Sequence, residues 1–184
     1  MSSVTPMTTY VALLRAVNVG GANRIKMADL QAAFVTTGYA DAMTHIQTGN
    51  VILTSNLTEA KVKASVEALI TEHLALSITA IVRSANEMAA VIAAGHPFGG
   101  AEELKQLYVS FLGQVPSSSA VAMLEAMSFA DAEFRVVGRE VFIRYHTGAG
   151  TSKLTNGVIE SKLRVKSTAR NWNVTTNLTK LMNP

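Results

Sequence analysis

The sequence predicts an α+β protein built from two units, the first with the element order βαββαβ and the second with a shortened form of it. Three observations carry this. Two short hairpins are flanked by β-type runs, helical stripes alternate with them, and Gly95-His96-Pro97-Phe98-Gly99-Gly100 breaks the chain near its middle.

Tyr10–Val17 is a short Val/Leu run bounded by Gly20-Gly21 and reads as a buried strand. Met27–Val35 places Leu30, Ala33 and Phe34 at helical spacing, and Gly38 ends it. Ala42–Ile46 and Val51–Ser55 flank the tight turn Gln47-Thr48-Gly49-Asn50, a hairpin. Thr58–Leu76 carries Val62, Val66, Leu69, Ile70 and Leu74 on one helical stripe, and Ile78–Val82 returns as a strand. This order is the ferredoxin-like signature. Ser84 and Glu87 form a capping box for a helix through Ala94.

The second series starts at the strand Leu107–Leu112. Val115–Met127 is a loop and an Ala-rich helix, and Glu133–Val137 and Glu140–Tyr145 form a hairpin on Gly138-Arg139. Ser152–Leu163 reads as a helix, and Val174, Leu178 and Leu181 imply a last short one. The expectation is therefore two ferredoxin-like subdomains related by a weak duplication, the second incomplete with extra C-terminal helices. Residues 1–7 are expected as a flexible tail, 8–98 as the first subdomain and 99–184 as the second.

The 184 residues are 48% apolar and 16% charged, enough for a sizeable core and too apolar for a disordered chain. There is no cysteine, which excludes disulfides, thiolate metal sites and cysteine nucleophiles. His45, His73, His96 and His146 show no metal-ligand spacing, so no metal site and no cofactor is implied. Asp29, Asp41 and Asp131 assemble no Ser/His/Asp machinery, and the catalytic residues stay unknown. His146 is the best general-base candidate, with a strand-end histidine without chemistry as the plainer alternative. The opening residues lack a secretory pattern, and Met88–Ala94, the longest apolar stretch, falls far short of a span of about 20 residues. A cytoplasmic protein without membrane attachment is expected.

Charge is uneven. Residues 1–134 carry seven basic and eleven acidic side chains, whereas residues 135–184 carry nine basic and two acidic. A basic C-terminal quarter points to an anionic partner, or to a solvated basic face.

In a ferredoxin-like unit the first two strands run parallel with the third between them. The loop after strand one and the turn between strands two and three then share one sheet edge. That brings Arg15, Asn18, Gly20, Gly21, Asn23 and Lys26, with Arg24 among them, beside Gln47, Gly49 and Asn50. Glycines let backbone N–H groups approach a ligand, amides donate and accept, and the cations attract an anion. The alternative is that these are turns only, or that Arg15 is a buried paired arginine. In the second half, Arg144–Lys153 reads as a strand running through a glycine loop into a helix start, where Lys153 would meet an anion. Lys162, Arg170, Asn171 and Trp172 form a polar, basic cluster around the only tryptophan, with a core tryptophan as the alternative.

Four segments resemble the motifs of a bacterial family known as domain of unknown function 1697: Leu13–Met27, Ile46–Val51, Gly148–Asn156 and Thr168–Asn173. The likeness spans about residues 8–183. It implies two ferredoxin-like subdomains and no established activity, cofactor or catalytic residue. Ala16 and Arg164 stand where that pattern often has glycine. Because the motifs fall in loops and helix starts, the reading favoured is a small anionic or nucleotide-like ligand in a polar, basic site shared by both subdomains. The alternatives are a nucleic-acid module gripping the phosphate backbone and a structural or protein-interaction module. A monomer or a homodimer is expected.

Overall fold

The structure is a computed structural model that describes residues 6–21, 23–99 and 104–183. The tail expected over residues 1–7 lies mostly outside them. The chain divides into two compact units, Met1–Ala90 with Leu178–Pro184, and Val91–Asn177.

The first unit holds β1 (Thr8–Leu14), α1 (Met27–Thr36), β2 (Met43–His45), β3 (Asn50–Ser55), α2 (Glu59–Leu74) and β4 (Ala80–Ser84). The sheet order is β2-β3-β1-β4, and every neighbouring pair is antiparallel. Alternate β1 residues Tyr10, Ala12 and Leu14 share one core with Leu30, Ala33 and Phe34 of α1 and with Val62, Val66, Leu69 and Ile70 of α2. The helical stripe read in the sequence is the stripe that packs on the sheet. The intervening residues Val11, Leu13, Ile52 and Ile81 are buried as well.

β1 ends at Leu14, earlier than the apolar run suggests. Ala16 and Asn18 turn into the left-handed region, φ 55° each, and break the strand. The predicted capping box forms in full: Glu87 Oε2 accepts from Ser84 N and Oγ, both at 2.8 Å, and Ser84 Oγ accepts from Glu87 N at 3.3 Å. It starts α3 (Ala85–Ala94).

The second unit repeats the order with β5 (Leu107–Leu112), α4 (Ser118–Glu125), β6 (Ala132–Val137), β7 (Glu140–Tyr145), α5 (Asn156–Leu163) and β8 (Ser167–Asn171). Its sheet order, β6-β7-β5-β8, matches that of the first. The ferredoxin-like class holds, with one correction: the second subdomain is not short of a strand. Ser167–Asn171 pairs antiparallel with β5 and completes it. The sequence hides this strand because its buried residues, Ser167, Thr168 and Arg170, are polar. α6 (Trp172–Met182) follows it. No helix among the described residues is long and apolar enough to cross a membrane.

The start of α5 is a second correction. The helix begins at Asn156, capped by Thr155, whose Oγ1 accepts from Val158 N at 3.2 Å. Ser152 and Lys153 lie before the helix and not in its first turn.

Candidate functional site

One groove of about 1050 Å³ opens in the first unit. Its position follows from topology. The chain leaves β1, descends through α1, and climbs again through α2, so the two helices are antiparallel. The end of β1, the β2–β3 turn, the start of α1 and the end of α2 therefore meet at one sheet edge. The lining agrees: Asn18, Gly21, Arg24, Ile25 and Lys26 from the β1–α1 loop, Met27, Ala28 and Asp29 from α1, Gln47 from the turn, and Leu74 and Leu76 from the end of α2.

Asn18 builds this edge. Its side chain pairs with the peptide of Ile25 in both directions, accepting from Ile25 N at 2.9 Å and donating to Ile25 O at 2.9 Å. The same amide nitrogen donates to Gln47 O at 2.8 Å, which ties the loop to the β2–β3 turn. Leu14 N donates to Gly49 O at 2.8 Å alongside. Gly49 is required there by conformation and space. Its φ is 74°, and a Cβ would lie 3.0 Å from Leu14 Cβ and 3.1 Å from Val17 Cβ. Asn50 is buried and gives its amide to His45 O at 2.9 Å and Thr48 Oγ1 at 3.2 Å. Asn23 donates to Ala16 O at 3.2 Å. Arg15 is half-buried, and its backbone N–H donates to Thr79 O at 2.9 Å. Of the sequence candidates in this unit, Asn18, Gly21, Lys26 and Gln47 line the groove, while Gly49, Asn50 and Asn23 shape the loops around it. Gly20 turns in the same loop with φ 62°.

Arg24 and Lys26 are exposed at the groove, and Lys26 occupies the N-cap of α1 without a side-chain cap on that helix. The first N–H groups of α1 therefore have no side-chain acceptor and favour negative charge nearby. Asp29 in the first turn is the acidic counterweight. The sequence reading missed Asp29, Leu74 and Leu76. The signal was available in the antiparallel run of the two helices, which returns the end of α2 to the start of α1.

The second unit supplies an internal comparison. At the equivalent edge, Leu112 N donates to Arg139 O and Gly113 N to Lys166 O, both at 2.8 Å, as Leu14 and Arg15 donate to Gly49 and Thr79. There, residues 113–117 suffice to join strand and helix, and Ser117 Oγ caps α4 by accepting from Ala120 N at 3.2 Å. The first unit spends residues 15–26 on the same connection and leaves its helix without a side-chain cap. The fold needs five residues where this chain uses twelve.

Several of the second-unit candidates hold bonds or ring contacts within the protein. The glycine loop folds on itself: Lys153 N donates to Asp131 Oδ2 at 3.0 Å, Leu154 N to Ser152 Oγ at 3.1 Å, and Tyr145 OH to Leu154 O at 3.0 Å. The bond from Lys153 N holds the Asp131 carboxyl below its ordinary range, so a protein carboxylate already takes that donor. Lys162 is half-buried on α5. Arg170 is buried in β8, with Nη1 donating to Thr168 Oγ1 at 2.9 Å and Ala169 O at 2.8 Å, and desolvation lowers its pKa to about 10. Asn171 Oδ1 caps α6 by accepting from Val174 N at 2.8 Å. Trp172 packs edge-on to His96, ring centroids 5.2 Å apart. His146 is exposed beside Glu133 at 3.7 Å.

The described residues thus form two complete βαββαβ units, with a groove of mixed polar and apolar lining beside the β1–α1 loop of the first. The chain belongs to the family described as protein of unknown function (DUF1697), which matches residues 7–142. That span holds the whole groove, while the segments Gly148–Asn156 and Thr168–Asn173 lie beyond it. Among solved structures, the chain is similar to the conserved bacterial protein SP0830 from Streptococcus pneumoniae. The two are 18% identical with a TM-score of 0.70, over 97% of this chain and all of the other. A likeness at that identity speaks for the fold alone. No match to a curated protein was found.

Proposed function

We propose that this protein binds a small anionic ligand in the groove of its first unit. The observation that carries the reading is the enlarged loop: the same fold makes the connection in the second unit with five residues and a capped helix, whereas here the connection takes twelve, of which Asn18, Gly21, Arg24, Ile25 and Lys26 line a groove beside an uncapped helix start. Loops longer than their connection requires are commonly functional. Arg24 and Lys26 supply positive charge, Gln47 supplies an amide, and Asn18 holds the loop in shape.

The backbone gives further support. Ala16, Asn18, Asn23 and Ile46 are non-glycine residues with φ between 48° and 55°, all in the two segments around the groove. Ile46, which is β-branched, is held in that region at a conformational cost. The groove is a binding site in this reading, and no reaction is assigned to it.

The test is a thermal-shift and titration series with inorganic phosphate, nucleoside monophosphates, simple carboxylates and short oligonucleotides at two salt concentrations, on the parent and on the double variant Arg24→Ala/Lys26→Ala. A ligand of the folded state raises the midpoint by mass action. The reading expects a shift that the double variant loses. A shift that the double variant keeps, or one seen only with oligonucleotides at low salt, overturns it; the latter would favour phosphate-backbone binding by the exposed Arg135, Lys153, Arg164 and Lys166.

A further inference from the structure

We infer that the ligand of this groove is an amphipathic monoanion, a single anionic head carried on an apolar body. The inference rests on the anion-binding reading above and narrows it to a ligand class.

The groove lining is of two kinds: Arg24, Lys26, Gln47 and Asp29 are polar or charged, while Ile25, Met27, Leu74 and Leu76 are apolar. A site for inorganic phosphate alone would have no use for the apolar set. Those apolar residues are anchored: Ile25 belongs to the core of the first unit, and Met27, Leu74 and Leu76 pack against it. Packed on the core, they contribute the apolar part of the groove lining. Leu76 follows Ala75, whose left-handed φ of 53° ends α2.

Charge sets the head group. Two cations against the carboxylate of Asp29 leave one net positive charge on the lining. One negative charge on the ligand balances it; a second would face Asp29 in the first turn of α1. A carboxylate is the simplest head that fits. Size agrees with a body beyond the head, since about 1050 Å³ is far more than a bare oxyanion fills and is at the upper end of small-ligand sites.

The test uses the linear carboxylates acetate, butyrate, hexanoate and octanoate on the full chain by isothermal titration, below any micelle-forming concentration. Octanol and inorganic phosphate are the comparison probes. The expected result is an affinity that rises about fourfold with each added methylene that is buried. Octanol should bind at least tenfold more weakly than octanoate. Met27→Gln should weaken octanoate more than acetate, and Arg24→Ala/Lys26→Ala should weaken both. Equal binding of acetate, phosphate and octanoate overturns this inference and leaves the anion-binding reading standing. Octanol binding as tightly as octanoate, or no binding by any probe, overturns both. The chain-length series needs no variant, so a Met27→Gln protein that fails to fold does not remove the test.

Discussion

Arg83 and Arg170 hold the same register position in the two sheets: Arg83 faces Val11 across β4 and β1, and Arg170 faces Val109 across β8 and β5. Both are buried, and each Nη1 donates to the carbonyl of the residue before it, Val82 at 2.9 Å and Ala169 at 2.8 Å. The residue after each arginine, Ser84 or Asn171, caps the helix that follows. The last strand of each unit thus delivers a buried guanidinium and then a helix start.

This makes Arg170 a structural residue in our account. Arg170→Ala is expected to cost about 2–4 kcal/mol of unfolding free energy, since it empties a packed, hydrogen-bonded site. Arg170→Lys should recover only part of this, because an ammonium cannot reproduce the planar fork that meets Thr168 and Ala169. Chemical denaturation measures both; an Arg170→Ala protein as stable as the parent contradicts the assignment.

Backbone conformation predicts opposite signs at three positions. Ala16 and Arg164, the two residues that stand where the resembled pattern often has glycine, have φ of 55° and 57°. Ala16→Gly and Arg164→Gly should each stabilise by about 1 kcal/mol by relieving the left-handed penalty. Gly49→Ala should destabilise by about 2–4 kcal/mol, from that same penalty and from a Cβ forced against Leu14 and Val17. Midpoints of thermal unfolding would show the three signs directly.

Tyr145 gives an alkaline signature. Burial pushes its phenol up to about 12 from an ordinary value near 10. A folded-state value raised above the unfolded one means stability fully present below pH 10 and lost as pH rises toward 12. Tyr145→Phe removes the bond to Leu154 O and should cost about 1 kcal/mol near neutrality. It also removes the alkaline loss, so the gap between parent and variant should close above pH 10. A gap independent of pH would refute the assignment.

His96 gives an acid signature of the other sign. Half-buried between Tyr108 O, at 3.1 Å from Nε2, and the rings of Phe142 and Trp172, its imidazole titrates below the ordinary value of 6.5 because burial penalises the cation. Unfolded chains then take the proton first, so stability falls as pH drops below 6.5. His96→Gln should flatten that part of the pH–stability curve. An unchanged acid slope in the variant would show that other groups produce it.

Legibility followed side-chain pattern. Val62, Val66, Leu69 and Ile70 marked α2 because its buried face is apolar, and Ser84 with Glu87 marked the start of α3 because capping uses a short local code. β8 stayed hidden because Ser167, Thr168 and Arg170 are buried by hydrogen bonding and not by apolar character. The start of α5 was misplaced because Ser152 and Thr155 are both competent caps, and only the bond from Val158 N selects Thr155. Part of the groove was legible from topology, through Asn18, Gly21, Lys26 and Gln47. The rest was not: Leu74 and Leu76 look like ordinary core in a helical stripe, and nothing local shows that Asn18 spends its amide on Ile25 and Gln47.

The most direct measurement is a backbone-resolved NMR titration of the full chain with octanoate and with phosphate. The account predicts saturable shifts concentrated at Asn18, Gly21, Lys26–Asp29, Gln47 and Leu74–Leu76. Saturable shifts gathered instead on Gly148–Lys153 would contradict it, as would unsaturable shifts scattered over exposed lysines.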